Sequence, residues 1–255
     1  MLSQESRHRA PNFVAVATYT TTTNVNFKII MSETIISIGN GGYNVAAGLI
    51  AAYTFPDARV IVCDTDADSL ERNSSIADES FLLEKLQKDV KSDDVELVND
   101  VVGKATDNVI ICATLGGMTG SKYAPLVALN ARLQGKFVSA FFTMPSAFEG
   151  QQVNKRAAVA RQQLIAASNV AVQQNNERLK EIDTLGLDDM DKPLIDTVVS
   201  ALNGNSLEEL PKVSDNDVVP EAYRIDGMLV VSIIGDAYPG ISADRMKELF
   251  DNIGL

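Results

Sequence analysis

The stretch Ala113-Thr114-Leu115-Gly116-Gly117-Met118-Thr119-Gly120-Ser121 connects an apolar, strand-like run to a helix-like run. A second stretch of the same kind, Ile38-Gly39-Asn40-Gly41-Gly42-Tyr43-Asn44, stands earlier in the chain. Glycine lets backbone N–H groups approach an anion closely, and a helix N-terminus adds a favourable dipole. Two such turns at the same end of one parallel sheet can hold a polyphosphate. They predict a phosphate-binding α/β domain, although either glycine turn alone is also ordinary turn chemistry.

Apolar and amphipathic segments alternate from Thr34 onward. We expect strands at Thr34–Ile38, Arg59–Cys63, Asn108–Ala113, Phe137–Thr143 and Val170–Gln173. We expect helices at Asn44–Tyr53, Leu82–Val90, Lys122–Leu133, Gln151–Ala167, Asn176–Ile182 and Asp191–Leu202. Because the strands are apolar on both faces, the pattern predicts a three-layer α/β fold with a mainly parallel, Rossmann-like sheet.

The chain divides into three parts by composition. Residues 1–31 are polar and threonine-rich, and we expect a disordered tail there or one extra edge strand at Val14–Tyr19. Residues 32–204 carry the strand–helix pattern of the binding domain and a central helix. Residues 205–255 form a reduced C-terminal segment, with a strand expected at Met228–Ile234 and a helix at Ala243–Ile253.

The charge and the scarcity of certain residues narrow the functional classes. The formal net charge of -12 disfavours nucleic acid and anionic membrane surfaces as partners, because both need clustered Lys and Arg. The single histidine, His8, argues against Ser-His catalysis and His-ligated zinc. Cys63 and Cys112 stand in apolar runs and indicate buried thiols in a reducing compartment. Without an apolar run of transmembrane length or a signal-peptide core, we expect a cytoplasmic protein with no membrane insertion.

The first turn also half-matches a dinucleotide fingerprint. Gly39 and Gly41 fit G-x-G, and Asp64 ends the second strand where a ribose-binding acid would stand. Asn44 occupies the place of the third glycine. A dinucleotide-dependent oxidoreductase explains this turn but leaves the second turn unexplained. A P-loop is not indicated, because no Gly-Lys-Ser/Thr stretch has the required spacing.

The second turn resembles the signature loop of the bacterial cell-division GTPase FtsZ and its tubulin relatives, Gly-Gly-Gly-Thr-Gly-Ser/Thr-Gly. Four further segments resemble the family in the same order. They are Gly41-Gly42-Tyr43-Asn44-Val45, Asp64-Thr65-Asp66-Ala67-Asp68-Ser69-Leu70, Met144-Pro145-Ser146-Ala147-Phe148-Glu149-Gly150 and Asn176-Glu177-Arg178-Leu179. Five ordered resemblances between Thr34 and Leu202 are far more specific than any one of them.

The resemblance implies a pocket for GTP or GDP, with Mg²⁺ as an accompanying ion. The residues that would hold phosphate are Gly41, Gly42, Asn44, Gly116, Gly117, Thr119, Gly120 and Ser121. Asp66 or Asp68, Glu149 and Asp196 would contact the ribose or base, and Asn176 the guanine edge. Asp217 and Asp215 would act in hydrolysis across a junction between self-associating subunits.

Several positions depart from the family pattern. Met118 and Lys122 replace glycines of the signature loop, and Lys122 either contacts a phosphate or projects into solvent. Val153 stands where the family has an arginine, and Arg156 is one helical turn further. Residues 74–84 contain no glycine where the family has a third phosphate loop. These departures imply weak or lost hydrolysis, and they leave a non-catalytic interaction module as the alternative.

Overall fold

The computed structural model describes residues 32–84, 92–176 and 190–203. These residues form one parallel sheet with helices on both faces. The strands are β1 (Glu33–Ile38), β2 (Arg59–Asp64), β3 (Glu79–Leu82), β4 (Asn108–Thr114), β5 (Phe137–Met144) and β6 (Val170–Asn175). The helices within these ranges are α1 (Gly39–Ala52), α2 (Ala67–Arg72), α3 (Ser92–Gly103), α4 (Met118–Leu133), α5 (Gln151–Ala166) and α6 (Lys192–Leu202).

The order of the strands fixes where a ligand can bind. The sheet runs β3-β2-β1-β4-β5-β6, so the chain winds outward in one direction from β1 and in the other from β4. β1 and β4 are hydrogen-bonded neighbours, with Ile38 opposite Ala113 at their carboxyl ends. Ligands of such sheets bind outside the carboxyl ends of the strands where the winding direction reverses. The predicted three-layer, Rossmann-like α/β fold is therefore confirmed, and both glycine-rich stretches meet at this reversal point.

The core has two layers, one on each face of the sheet. Alternate residues of β1 point to opposite faces, with Ile36 and Ile38 on one side and Ile35 on the other. The first face packs against α3, α4 and α5 through residues that include Val101, Val127 and Leu164, and the second against α1 and α6 through Leu49 and Val198. Burial on both faces explains why the strands read as continuous apolar runs.

Two helices begin earlier than their sequence patterns predict. The helix expected from Asn44 starts at Gly39, and the helix expected from Lys122 starts at Met118. The glycines expected in open turns therefore lie largely within the first turns of α1 and α4. Helix propensity disfavours glycine there, but tertiary packing overrides propensity where two backbones must approach closely.

The expected helix at Leu82–Val90 is wrong at its start, because Leu82 ends β3. Residues 85–91 lie outside the described part of the chain. Strand β3 and helices α2 and α3 were not predicted from the sequence. The pattern for α3 is visible in the sequence, since Asp93 and Asp94 lie in its first turn and Val98, Val101 and Val102 follow at helical spacing.

Some expectations fall outside the described residues. These are the tail at 1–31, the segment at 205–255 with its strand and helix, and all of Asn176–Ile182 beyond Asn176. Within the described ranges, no helix has both the length and the apolar character needed to cross a membrane.

The sheet contains a buried carboxyl group that the binding site does not use. Glu33 begins β1 and is 2% exposed, and its Oε2 has no hydrogen-bonding partner within the described structure. Burial disfavours the charged form and raises the pKa of Glu33 from 4.5 to about 7. The contribution of Glu33 to the free energy of unfolding is therefore fully present below pH 4.5 and is lost as the pH rises through about 7.

We predict that Glu33→Gln stabilises the protein at pH 8 and changes little at pH 5, because glutamine imitates the protonated acid. The gain in free energy of unfolding at pH 8 should not exceed about 3 kcal/mol, at 1.36 kcal/mol per pKa unit. Urea denaturation at both pH values measures it. Glu71→Gln, at an exposed position of α2, is the matched control. An equal gain at pH 5 and pH 8 would contradict a titrating Glu33.

Candidate nucleotide-binding site

Two helix N-termini lie side by side at the carboxyl edge of β1 and β4. The N-cap residues are Ile38 for α1 and Gly117 for α4, and neither provides a side-chain cap. Neither helix has an acidic residue in its first turn. The first N–H groups of a helix have no partner within it, and they carry the positive end of the helix dipole. Among the described residues, neither the N-cap side chain nor an acidic side chain in the first turn satisfies these N–H groups, so both helix starts can accept an anion.

The two helix starts are close enough to hold one ligand. A Cβ placed on Gly39 would lie 3.4 Å from Thr119 Cβ and 3.8 Å from the backbone nitrogen of Gly120. The first residue of α1 thus contacts the first turn of α4 directly. This proximity brings together the amides of both glycine-rich stretches.

The Gly116-Gly117 turn is anchored to the protein interior at Gly116 and exposed to solvent at Gly117. Gly116 has φ +100, a conformation that favours glycine, and its N–H donates to Ser121 Oγ at 2.8 Å. Ser121 is 1% exposed, so its hydroxyl braces the turn from beneath. A Cβ on Gly117 would meet nothing within 4 Å. The exposed face of the turn is therefore at Gly117, where the sequence analysis expects phosphate.

Three other glycines let the helix starts approach β4. A Cβ on Gly42 would lie 2.4 Å from the carbonyl oxygen of Cys112, and one on Gly120 would lie 2.3 Å from that of Thr114. A Cβ on Gly41 would collide with the Thr114 side chain at 2.3 Å. These contacts are tighter than real Cβ atoms make, so packing alone requires glycine at these positions.

The segment after β2 forms a third side of the site. Thr65 Oγ1 and Thr119 Oγ1 share a hydrogen bond of 2.6 Å, which links this segment to α4. Asp66 is exposed and caps α2 by accepting a hydrogen bond from the Asp68 N–H. Both oxygens of Asp64 are directed inward and accept from Thr65 N at 2.7 Å and from Ser69 Oγ at 2.9 Å. This orientation disfavours the dinucleotide interpretation, which needs that carboxylate for a ribose.

The expected ribose and base contacts occupy different parts of the structure. Glu149 follows β5 and is exposed, with Oε1 accepting from the Ser146 N–H at 2.8 Å. Asn176 follows β6, and its Oδ1 accepts from Gln174 Nε2 at 3.1 Å. Both stand at the same edge of the sheet as the glycine turns. Asp196 lies on α6, where it pairs with Lys192 at 3.2 Å. Asn44 is exposed on α1, and Asp215 and Asp217 lie outside the described residues.

Both predicted roles of Lys122 are wrong, because its side chain neither projects into solvent nor lies at the Gly116-Gly117 turn. It is 6% exposed, and Nζ lies 2.9 Å and 2.8 Å from the two oxygens of Asp94. Tyr123 OH lies 2.5 Å from Asp94 Oδ1 and 3.0 Å from the carbonyl oxygen of Glu84. A buried ammonium needs a partner, and Asp94 supplies it. The partner was missed because it belongs to α3, which the sequence analysis did not anticipate.

The Lys122–Asp94–Tyr123 cluster joins α3, α4 and the chain after β3 on one side of the sheet. Burial and the neighbouring carboxylate raise the pKa of Tyr123 above its ordinary value, so the phenol stays protonated. The cluster therefore fixes α4 behind the glycine turn. Within the described ranges, there is no group of three or more His, Cys, Asp or Glu side chains that could hold a metal ion.

Comparisons with known proteins agree with this architecture. The family description "Tubulin/FtsZ family, GTPase domain" matches residues 34–184. The chain is 28% identical over 239 residues to the cell division protein FtsZ of Mycoplasmopsis pulmonis, covering 88% of this chain and 58% of that protein. It is 30% identical over 128 residues to FtsZ of Aquifex aeolicus, covering 49% of this chain and 35% of that protein. The chain thus spans about a third to somewhat more than half of these relatives.

Solved structures show the same fold. An FtsZ dimer from M. jannaschii superposes with a TM-score of 0.58 at 22% identity, covering 69% of this chain and 55% of that one. A W319Y mutant of FtsZ from M. jannaschii gives 0.56 at 26% identity, with 67% and 55% covered. CetZ2 of Haloferax volcanii, solved as a GTPγS-bound protofilament, gives 0.53 at 18% identity, with 72% and 60% covered.

We predict that Gly120→Ala lowers the free energy of unfolding by about 2 kcal/mol or more, because its Cβ would displace the Thr114 carbonyl. Gly117→Ala is the matched control, since its Cβ has open space and its φ of -65 suits any residue. Its effect should stay within about 1 kcal/mol. Chemical denaturation compares them. Equal losses in the two variants would contradict the close approach of α4 to β4.

We predict that Lys122→Met lowers the free energy of unfolding by about 3 kcal/mol or more, because it removes the ammonium that pairs with the buried Asp94 carboxylate. The double variant Lys122→Met/Asp94→Leu should recover much of that loss, since no buried charge remains at the pair. Thermal and chemical denaturation of the three proteins measure the effect. A double variant as unstable as Lys122→Met alone would contradict the charge argument.

Proposed function

The chain belongs to the tubulin/FtsZ family by its GTPase domain, and on that premise we propose that it binds a guanine nucleotide, GTP or GDP, between the starts of α1 and α4. The polyphosphate lies across the two glycine-rich stretches. The ribose and base extend along the carboxyl edge of the sheet toward β5 and β6.

The observation that carries this proposal is the pair of uncapped helix N-termini at the reversal point of the sheet. A helix N-terminus ordinarily receives an oxygen from a Ser, Thr, Asp or Asn side chain. Here neither glycine-rich stretch provides such a side chain at the N-cap of its helix, and the starts of α1 and α4 contact each other. Phosphate oxygens supply the missing acceptors for both helices at once.

The positions of Glu149 and Asn176 support the remainder of the pocket. Both side chains follow strands on the β4-β5-β6 side of the sheet, beyond the Gly116-Gly117 turn. A nucleotide with its phosphates on that turn can therefore extend toward them. We propose Glu149 for the ribose hydroxyls and Asn176 for the guanine edge. Asp66, exposed beside the turn, is the second candidate for the sugar.

We propose that hydrolysis by this chain is slow. The two carboxylates assigned to it, Asp217 and Asp215, belong to the segment beyond α6 and would act on the nucleotide of a neighbouring copy. An FtsZ relative was solved as a dimer and CetZ2 as a protofilament, which supports self-association of this chain. A Mg²⁺ ion would take most of its ligands from phosphate oxygens and water, as this ion commonly does.

We predict that Gly117→Asp reduces GTP affinity by at least about tenfold, because a carboxylate at the α4 N-cap occupies and repels the phosphate position. The fold should survive, since aspartate is a preferred N-cap residue and the site has room for it. Calorimetric titration of the purified chain with GTP, GDP and ATP measures the affinities.

Gly117→Ser is the matched control, because it caps α4 without adding charge. It should bind GTP several-fold more tightly than Gly117→Asp, with equal thermal stability. Parent protein that binds neither GTP nor ATP at high micromolar concentration would overturn the nucleotide proposal and favour the non-catalytic interaction module. GTP turnover that rises with protein concentration would support catalysis between copies.

A further inference from the structure

The phosphate-binding face needs a cation that the lysine of its own helix does not provide. Lys122 is buried and neutralised by Asp94. The exposed side chains beside the turn that can ionise include Asp66, Asp68 and Glu149, all acidic. A nucleoside triphosphate brings several negative charges, and two helix dipoles supply only about half a unit of positive charge each.

Arg156 of α5 lies beside the Gly116-Gly117 turn. Its Nε donates to the carbonyl oxygen of Gly116 at 2.7 Å, and Nη1 lies 2.7 Å from Met118 Sδ. A Cβ on Gly116 would lie 2.7 Å from Val153 Cγ1, so α5 packs directly against this turn. The guanidinium therefore spans the turn that separates β4 from α4, next to the exposed Gly117.

The partner of Nη1 is a poor one for a charged donor. A thioether sulfur is a weak acceptor, whereas a phosphate oxygen is a strong one and matches the guanidinium fork. Met118 is also about half exposed, so its side chain can be moved without disturbing the core. An anion that reaches the start of α4 thus offers Nη1 a far better acceptor close by.

We propose that Arg156 is the cationic phosphate contact of this site, with Nε kept on Gly116 and Nη1 exchanging Met118 Sδ for a phosphate oxygen. This inference rests on the proposed nucleotide binding and adds the residue that selects phosphorylated ligands. Arg156 contributes to affinity only through the phosphates of the ligand. It should be absent for guanosine and present for GDP and GTP.

The test compares Arg156→Gln, Arg156→Lys and Lys155→Gln with the parent chain. Lys155→Gln removes the same charge from an exposed neighbouring position of α5. Competition against labelled GTP gives the dissociation constants of GTP, GDP and guanosine at several salt concentrations. We expect Arg156→Gln to weaken GTP and GDP by about tenfold or more, as for loss of a charge-assisted hydrogen bond. Guanosine should change less than about twofold, and Lys155→Gln should resemble the parent.

The salt dependence separates charge from a structural effect on the turn. Arg156→Gln should flatten the loss of GTP affinity with rising salt, and Arg156→Lys should restore that dependence with an intermediate affinity. Met118→Leu removes the sulfur at similar volume and should bind GTP as tightly as the parent or more tightly. Parent protein that binds GTP while Arg156→Gln matches Lys155→Gln would overturn the role of Arg156 and leave the proposed function intact. A parent that binds no nucleotide would overturn both.

Discussion

The close approach of two helix starts to β4 is the constraint on which the rest of the structure depends. Gly42 and Gly120 place their backbones against the carbonyl oxygens of Cys112 and Thr114, at distances that no Cβ could share. This packing brings the amides of α1 and α4 to the same edge of the sheet. Because strand order puts β1 beside β4, the starts of the two helices lie side by side at one edge of the sheet. Glycine at these positions thus serves packing, and in the proposed function it would also give an anion access to the backbone amides.

The electrostatics of the site follow from how α3, α4 and α5 pack on one face. Lys122 is buried in a pair with Asp94, where it stabilises the position of α4. The guanidinium that reaches the Gly116-Gly117 turn belongs to Arg156 of α5, which donates to the Gly116 carbonyl oxygen. The overall charge of -12 argues against binding large polyanions, yet it does not prevent a local positive field. Backbone dipoles and one positioned guanidinium can produce such a field on an acidic protein.

The sequence predicted the fold class and two glycine-rich stretches at one edge of the sheet, because strand burial and glycine placement leave strong local patterns. The starts of α1 and α4 were placed late, since glycine reads as a turn residue unless its tertiary contacts are known. Lys122 was misjudged for a similar reason, because its partner Asp94 is distant in sequence and belongs to a helix that was not anticipated. Ser121, a predicted phosphate contact, accepts a hydrogen bond from the Gly116 N–H in this structure. Periodicity reveals which residues are buried, but it does not reveal which long-range pairs they make.

In the proposed function, binding and hydrolysis would draw on different stretches of this chain. The helix starts, the turn after β4 and Arg156 all come from residues 38–156, and the expected ribose and base contacts extend that set to Asp196. The acids expected to act on water, Asp215 and Asp217, come only after α6 and would serve a neighbouring copy. Under that proposal, substitutions around Gly117 and Arg156 would act on affinity within one molecule. Substitutions at the two acids would change only turnover, and only at concentrations where copies associate, so the two halves of the activity can be separated experimentally.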